Sequence, residues 1–182
     1  MAMIMQPRAF YGSFFHAPAY GSFEYLEHAL IKVGEDGAIE RVIAHDDPDQ
    51  AAALAKAREA GTLYELGEGR FGLPGFVDIH IHSPQWPQAA LALDEPLYRW
   101  LDERTFPLES KFADVDFAKE VYSDLVDQLL ARGSTTAVYL GSAHLEATVA
   151  LAEICAERGQ RALVGKTVMD DPAANPDYYR DA

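Results

Sequence analysis

At 182 residues, 49% hydrophobic and 24% charged, the chain has the composition of a globular protein, with length for one or two domains. A net charge of −14, from 15 Lys+Arg against 29 Asp+Glu, argues against nucleic acid and anionic membrane as partners. No apolar run reaches membrane-spanning length, and Met1-Ala2-Met3-Ile4-Met5-Gln6-Pro7-Arg8 lacks the charged start and long apolar core of a signal peptide. The single cysteine, Cys155, excludes an internal disulfide and fits a reducing, cytoplasmic compartment.

Residues 8 to about 70 read as β-rich. Arg8–His16 carries Phe10, Tyr11, Phe14 and Phe15, and the strands Phe23–Val33 and Ile39–His45 flank Glu35-Asp36-Gly37, a hairpin turn of the Asp-Gly kind. Asp47-Pro48-Asp49 opens a short Ala-rich helix over 49–60, ended by Gly61, and Thr62–Leu66 reads as a further strand. Gly67, Gly69 and Gly72 form a flexible entry into Leu73-Pro74-Gly75, which places a domain boundary between 1–72 and 73–182.

From Gly75 the pattern changes to alternating strands and helices. The first strand is 75–82, followed by a short helix near 95–104 closed by Phe106-Pro107. A helix over 115–132 has Ala118, Val121, Tyr122, Leu125, Val126, Leu129 and Leu130 at 3-4 spacing, with Gly133 at its end. Thr135–Leu140 reads as a buried strand, and 145–158 as a helix burying Ala147, Ala150, Leu151, Ile154 and Cys155. Arg161–Met169 is the third strand, and a polar, loosely ordered loop runs on from Asp170-Asp171-Pro172. This β-α-β-α-β order with apolar strands predicts an α/β fold, a parallel sheet covered by helices. Residues 75–182 number 108 (182 − 75 + 1), against about 250 for a whole (β/α)8 barrel, so the chain reads as truncated. A bare three-strand sheet has an unpaired edge and predicts poor solubility or self-association.

The chemistry concentrates in Gly75-Phe76-Val77-Asp78-Ile79-His80-Ile81-His82. Alternation puts Phe76, Asp78, His80 and His82 on one face and Val77, Ile79 and Ile81 on the other. The two histidine Cα atoms are then about 6.6–7 Å apart, within reach of one metal ion. Pro84 ends the strand, which puts the imidazoles at its C-terminal end, the face where barrel enzymes do chemistry. The plain alternative is two polar side chains on an exposed strand. The apolar neighbours argue instead for a buried strand, where unpartnered imidazoles would be costly.

Those residues, preceded by Leu73-Pro74, resemble the amidohydrolase superfamily, whose members pair a small composite β-sandwich with a metal-dependent TIM barrel. Within it the chain resembles the guanine deaminase family most, through His80-Ile81-His82-Ser83-Pro84-Gln85-Trp86-Pro87, Leu97-Tyr98-Arg99-Trp100-Leu101, Thr105-Phe106-Pro107-Leu108-Glu109, Gly133-Ser134-Thr135-Thr136-Ala137 and Gly159-Gln160-Arg161-Ala162-Leu163-Val164-Gly165-Lys166. The likeness covers about residues 70–182 well and the rest only in layout.

The resemblance implies the first three βα units of the barrel behind a β-sandwich-like domain, one zinc ion, and hydrolysis of guanine to xanthine and ammonia. It also implies a homodimer when full length. It makes His80 and His82 zinc ligands, and Gln85 a purine contact rather than an unpartnered loop amide. Trp86 and Phe106 either wall the ring or simply pack, and His144 either lines the site or is a loop histidine. Asp78 would orient a ligand. Lys166 would be structural, and His16, His28 and His45 surface or half-buried polar residues. No catalytic residue falls within the chain, because the family takes its carboxylates and further ligands from later strands. Two other readings stay open: another purine or amino-azine amidohydrolase, and a truncated non-catalytic interaction product.

Overall fold

Strand β1, Ala9–His16, is the hub of the first unit in the computed structural model, which describes residues 8–181. It pairs antiparallel with β2, Glu24–Val33, which pairs antiparallel with β3, Ile39–Ile43. The turn between β2 and β3 is closed by Gly34 N donating to Ala38 O at 2.8 Å, and Gly37 takes the positive φ of 81° that this turn needs. Helix α1, Gln50–Glu59, precedes β4, Leu63–Glu65, and β5, Phe71–Gly72, both of which run parallel to β1.

Ala53, Leu54 and Ala57 of α1 pack on Ala9, Leu30 and Ile43. Gln50 fastens the start of that helix, its Nε2 donating to the His28 carbonyl at 2.7 Å and the Ala44 carbonyl at 3.0 Å. Between the Gly12–Ala29 and Phe14–Leu26 pairs, Ser13 faces two residues, Glu27 and His28. His28 absorbs that bulge with a φ of 46°. All five strands belong to one sheet. Among the described residues the unit therefore carries one sheet rather than the two facing layers of a sandwich.

The second unit begins at Gly75, the first ending at Pro74. Its sheet has the order β6-β7-β8, all parallel, from Phe76–His82, Ser134–Leu140 and Arg161–Gly165. Helix α4, Val115–Ala131, starts on an Asp114 cap whose Oδ1 accepts from Asp116 N at 2.9 Å and Phe117 N at 3.3 Å. Helix α5, Leu145–Arg158, ends at Gly159 with a φ of 74°. Tyr122, Leu125 and Val126 of α4 meet Ala147, Leu151, Ile154 and Cys155 of α5 over Ala137 and Tyr139 of β7. Each fully buried Leu or Ile there contributes about 1.5–3 kcal/mol by leaving water. Tyr139 donates its hydroxyl to Gln160 Oε1 at 2.7 Å, and Gln160 Nε2 reaches the Ser134 carbonyl at 3.0 Å. Those two bonds satisfy the Tyr139 hydroxyl and tie Gln160 to the start of β7.

Four expectations are corrected. The histidine strand β6 is not buried: Phe76, Val77 and Ile79 are exposed, Ile79 at 73%. Among the described residues it is an edge strand paired only with β7, and its register slips between Asp78 and Ile81, which breaks strict alternation. The helix expected near 95–104 does not stop at Pro107. Helix α2, Leu97–Trp100, passes through a π-helical turn, Leu101–Thr105, into α3, Phe106–Glu109. Pro107 follows directly on that wide turn, in which the Phe106 N–H bonds back to the Leu101 carbonyl, so the helix passes the proline instead of ending at it.

Strand β8 ends at Gly165 rather than at Met169, because its partner β7 gives out at the Leu140–Gly165 pair. The loop after 170 is also fastened. Asp181 N donates to the Met169 carbonyl at 2.9 Å, Met169 N donates to Asp181 Oδ2 at 2.8 Å, and Tyr179 is buried with Ala143 and Met169. The reading of Met1–Arg8 falls, Arg8 apart, outside the described residues, as does Ala182. Among the described residues no helix is long and apolar enough to cross a membrane.

Candidate functional site

The end of β6 and the 3-10 turn Ser83–Gln88 that follows build the site. Pro84 and Pro87 turn the chain out of the sheet as the strand ends. Three side chains pin this turn. Ser83 Oγ donates to the Leu140 carbonyl at 3.2 Å, Trp86 Nε1 to Asp124 Oδ2 on α4 at 2.7 Å, and Gln88 Nε2 to Thr105 Oγ1 in the π-helical turn at 2.8 Å. The imidazoles are thereby presented from a fixed backbone.

His80 Nε2 and His82 Nε2 stand 3.1 Å apart, with ring centroids at 5.0 Å. Two nitrogens bound to one tetrahedral zinc at 2.0–2.1 Å would be about 3.3–3.4 Å apart. The observed pair fits two ligands of one such ion. Partial loss of water and the neighbouring His80 hold the His82 imidazole below its ordinary value, with Glu109 pulling the other way. Both effects favour the neutral form that binds metal. Asp78 Oδ1 accepts from the His80 backbone N–H at 3.1 Å. Among the described residues no group of three His, Cys, Asp or Glu comes together.

The pair opens on a cleft of about 390 Å³, lined also by Asp78, Gln85, Trp86 and Trp100. One wall carries Ala90 with a φ of 63°. A left-handed alanine costs of order 1 kcal/mol or more, and such residues gather at functional sites. Gln85 and Trp86 thus share the cleft with the imidazoles, Gln85 half-buried and Trp86 fixed through its indole N–H.

Phe106 and His144 lie elsewhere. Phe106 packs against the Ala143, Met169 and Tyr179 cluster. His144 precedes α5, its ring 5.8 Å from that of Tyr179. Its Nε2 is buried without a partner among the described residues, and burial lowers its pKa. Lys166 binds Asp181 at 2.7 Å. His45 is exposed, and His16 sits 3.2 Å from Glu24.

Glu109 and Tyr179 were not singled out from the sequence as site residues. Glu109 is buried at 6% exposure, its Oε1 accepting from Gln85 Nε2 at 2.9 Å and its Oε2 from the Tyr179 hydroxyl at 2.7 Å. Burial and the Glu109 carboxylate both raise the Tyr179 pKa, keeping the phenol a donor. The available signal was a carboxylate directly after Phe106-Pro107-Leu108, in a stretch whose apolar residues mark it as inward-facing.

A sequence profile of the Amidohydrolase family matches residues 71–181. A guanine deaminase from Dictyostelium discoideum is 38% identical over 180 residues, which are 94% of this chain and 39% of that protein. A guanine deaminase from Mus musculus is 38% identical over 171 residues, 93% of this chain and 37% of its own length. Among solved structures, a guanine deaminase from C. acetobutylicum with guanine bound in its active site superposes with a TM-score of 0.79 at 27% identity, covering 96% of this chain and 39% of that one. An adenosine deaminase from Xanthomonas campestris with bound Zn gives a TM-score of 0.61 at 23% identity, over 96% of this chain and 38% of that one, and shares the fold. The chain spans well under half the length of the relatives it matches.

Proposed function

Since the chain belongs to the Amidohydrolase family, we propose that it is part of a guanine deaminase, an enzyme that converts guanine and water to xanthine and ammonia. The observation that carries this is the His80–His82 pair, its Nε2 atoms 3.1 Å apart at the mouth of a cleft, within a stretch similar to guanine deaminases. We assign β6, β7 and β8 to the first three strands of a (β/α)8 barrel, and the sheet around β1 to one layer of a composite sandwich. One zinc ion, a cytoplasmic location and a homodimer complete the proposal.

His80 and His82 would hold the zinc through Nε2, and the Asp78 carboxylate fixes the backbone from which the first imidazole springs. When bound, zinc supplies a water whose pKa falls toward about 7. Gln85 binds the purine edge with an amide that both donates and accepts. Trp86, its indole N–H tied to Asp124, closes one wall and keeps bulk water from the ring. The proton-carrying carboxylate and the remaining ligands are assigned to the rest of the protein.

The test is xanthine formation from guanine by the whole protein, measured with its zinc content. Stoichiometric zinc and guanine turnover are expected, with both lost in His80→Ala. Full zinc and activity in that variant would remove the histidines from the site. Turnover of other amino-azines without guanine would redirect the substrate assignment.

A further inference from the structure

We infer that Glu109 is a positioning residue for substrate recognition: it locks the Gln85 amide in one of its two flip states, so the cleft meets an acceptor and a donor in fixed order. The inference rests on the proposal that Gln85 touches the purine.

A side-chain amide is nearly symmetric in shape, so packing alone does not choose between its flip states. Polar neighbours must choose. Glu109 is 6% exposed, and both of its oxygens are engaged. The Tyr179 hydroxyl oxygen accepts from Ala143 N at 3.1 Å, which leaves its proton for Glu109 Oε2 at 2.7 Å. The other oxygen, Oε1, is 2.9 Å from Gln85 Nε2.

Both Glu109 oxygens accept in this arrangement. The flipped amide would set Gln85 Oε1 against Glu109 Oε1, acceptor on acceptor, in a site with little water. The chain of bonds from Ala143 through Tyr179 and Glu109 ends on the NH2 of Gln85. Gln85 lines the cleft beside His80 and His82, whereas Glu109 lies behind it. What Gln85 offers the cleft is its Oε1 and its second N–H.

That pair matches a ring edge carrying an N–H next to a bare ring nitrogen, as guanine does at N9–H and N3. It disfavours an edge with that order lost. Burying a carboxylate without partners is costly. Here the three polar groups satisfy one another and leave the amide order as their product.

The experiment measures KM and kcat of the whole protein for guanine and for 3-deazaguanine, which has a C–H in place of N3. The variants are Glu109→Gln, Gln85→Ala and the double variant. Glu109→Gln can both donate and accept, so it frees the amide to flip. It should raise KM for guanine about three- to tenfold, the loss of one neutral hydrogen bond. It should also shrink the preference for guanine over 3-deazaguanine, with kcat less affected.

In the Gln85→Ala background the same change should add nothing, because a residue that acts through Gln85 has no target left. Tyr179→Phe, which removes one donor to the carboxylate, should shift KM in the same direction by less, and serves if Glu109→Gln does not fold. A Glu109→Gln effect of equal size with and without Gln85, or an unchanged KM, overturns the inference alone. A wild-type protein without guanine turnover overturns the functional proposal and this inference with it.

Discussion

Gly75 and Thr135 lie so close that a Cβ on the glycine would stand 2.7 Å from Thr135 Cβ, and closer still to its hydroxyl. Next to this contact Phe76 N donates to the Gly133 carbonyl at 2.7 Å, so the chain cannot step aside without breaking the first bond of the sheet. Gly75→Ala should destabilise the second unit by about 1–3 kcal/mol or more. The readout is a lower urea midpoint at unchanged slope. Thr135→Ala should restore only part of the loss, because Thr135 Cβ is itself in the way, and Thr135→Gly should restore more. Wild-type stability of Gly75→Ala would show that β6 shifts freely.

Asp114 satisfies two of the free N–H groups at the start of α4. Asp114→Ala should cost about 0.5–2 kcal/mol, and Asp114→Asn much less, because the asparagine carbonyl can still accept. Equal losses in the two variants would show that the cap does not act through its oxygen.

Cys155 is buried, and burial pushes its thiol up to about 11 from 9.0. Only the thiolate is nucleophilic, so at pH 8 the native chain should react with a disulfide reagent far more slowly than the unfolded chain. The linkage has a definite sign. The folded-state pKa is raised, so this stabilising contribution is present below pH 9 and is lost as the pH rises towards 11. Rapid native labelling at pH 8 would contradict the burial of α5 against the sheet.

Ile79 is 73% exposed on β6 and Leu163 70% exposed on β8, the two edges of the parallel sheet. Apolar side chains on open edges invite pairing with another chain. The 182-residue chain should self-associate with rising concentration on size-exclusion chromatography, and Ile79→Lys should reduce this. A monodisperse monomer at high concentration would rule it out.

The helices α4 and α5 were legible because their buried residues recur at helical spacing and each is followed by a glycine with positive φ. The exposure of β6 was not legible. Val77 and Ile79 look the same in sequence whether or not a neighbouring strand and helix cover them, and periodicity carries no information about partners. Nor was the π-helical turn before Pro107, since a proline marks a helix end unless a wide turn precedes it. At the site, His80, His82, Gln85 and Trp86 could be found as neighbours in one short segment. The approach of Glu109 and Tyr179 could not, because they lie 24 and 94 residues beyond Gln85 (109 − 85 and 179 − 85) and only tertiary packing joins them.

The fastening of Met169 to Asp181 has a consequence for how the chain can be cut. Residues 171–174 are exposed, while Tyr179 and the paired Met169 and Asp181 anchor both sides of them. The tip should therefore be open to a protease, since exposed tips are where nicking concentrates. The cut ends would then stay docked: two fragments on a denaturing gel, one particle in solution, and the Tyr179 hydroxyl still against Glu109.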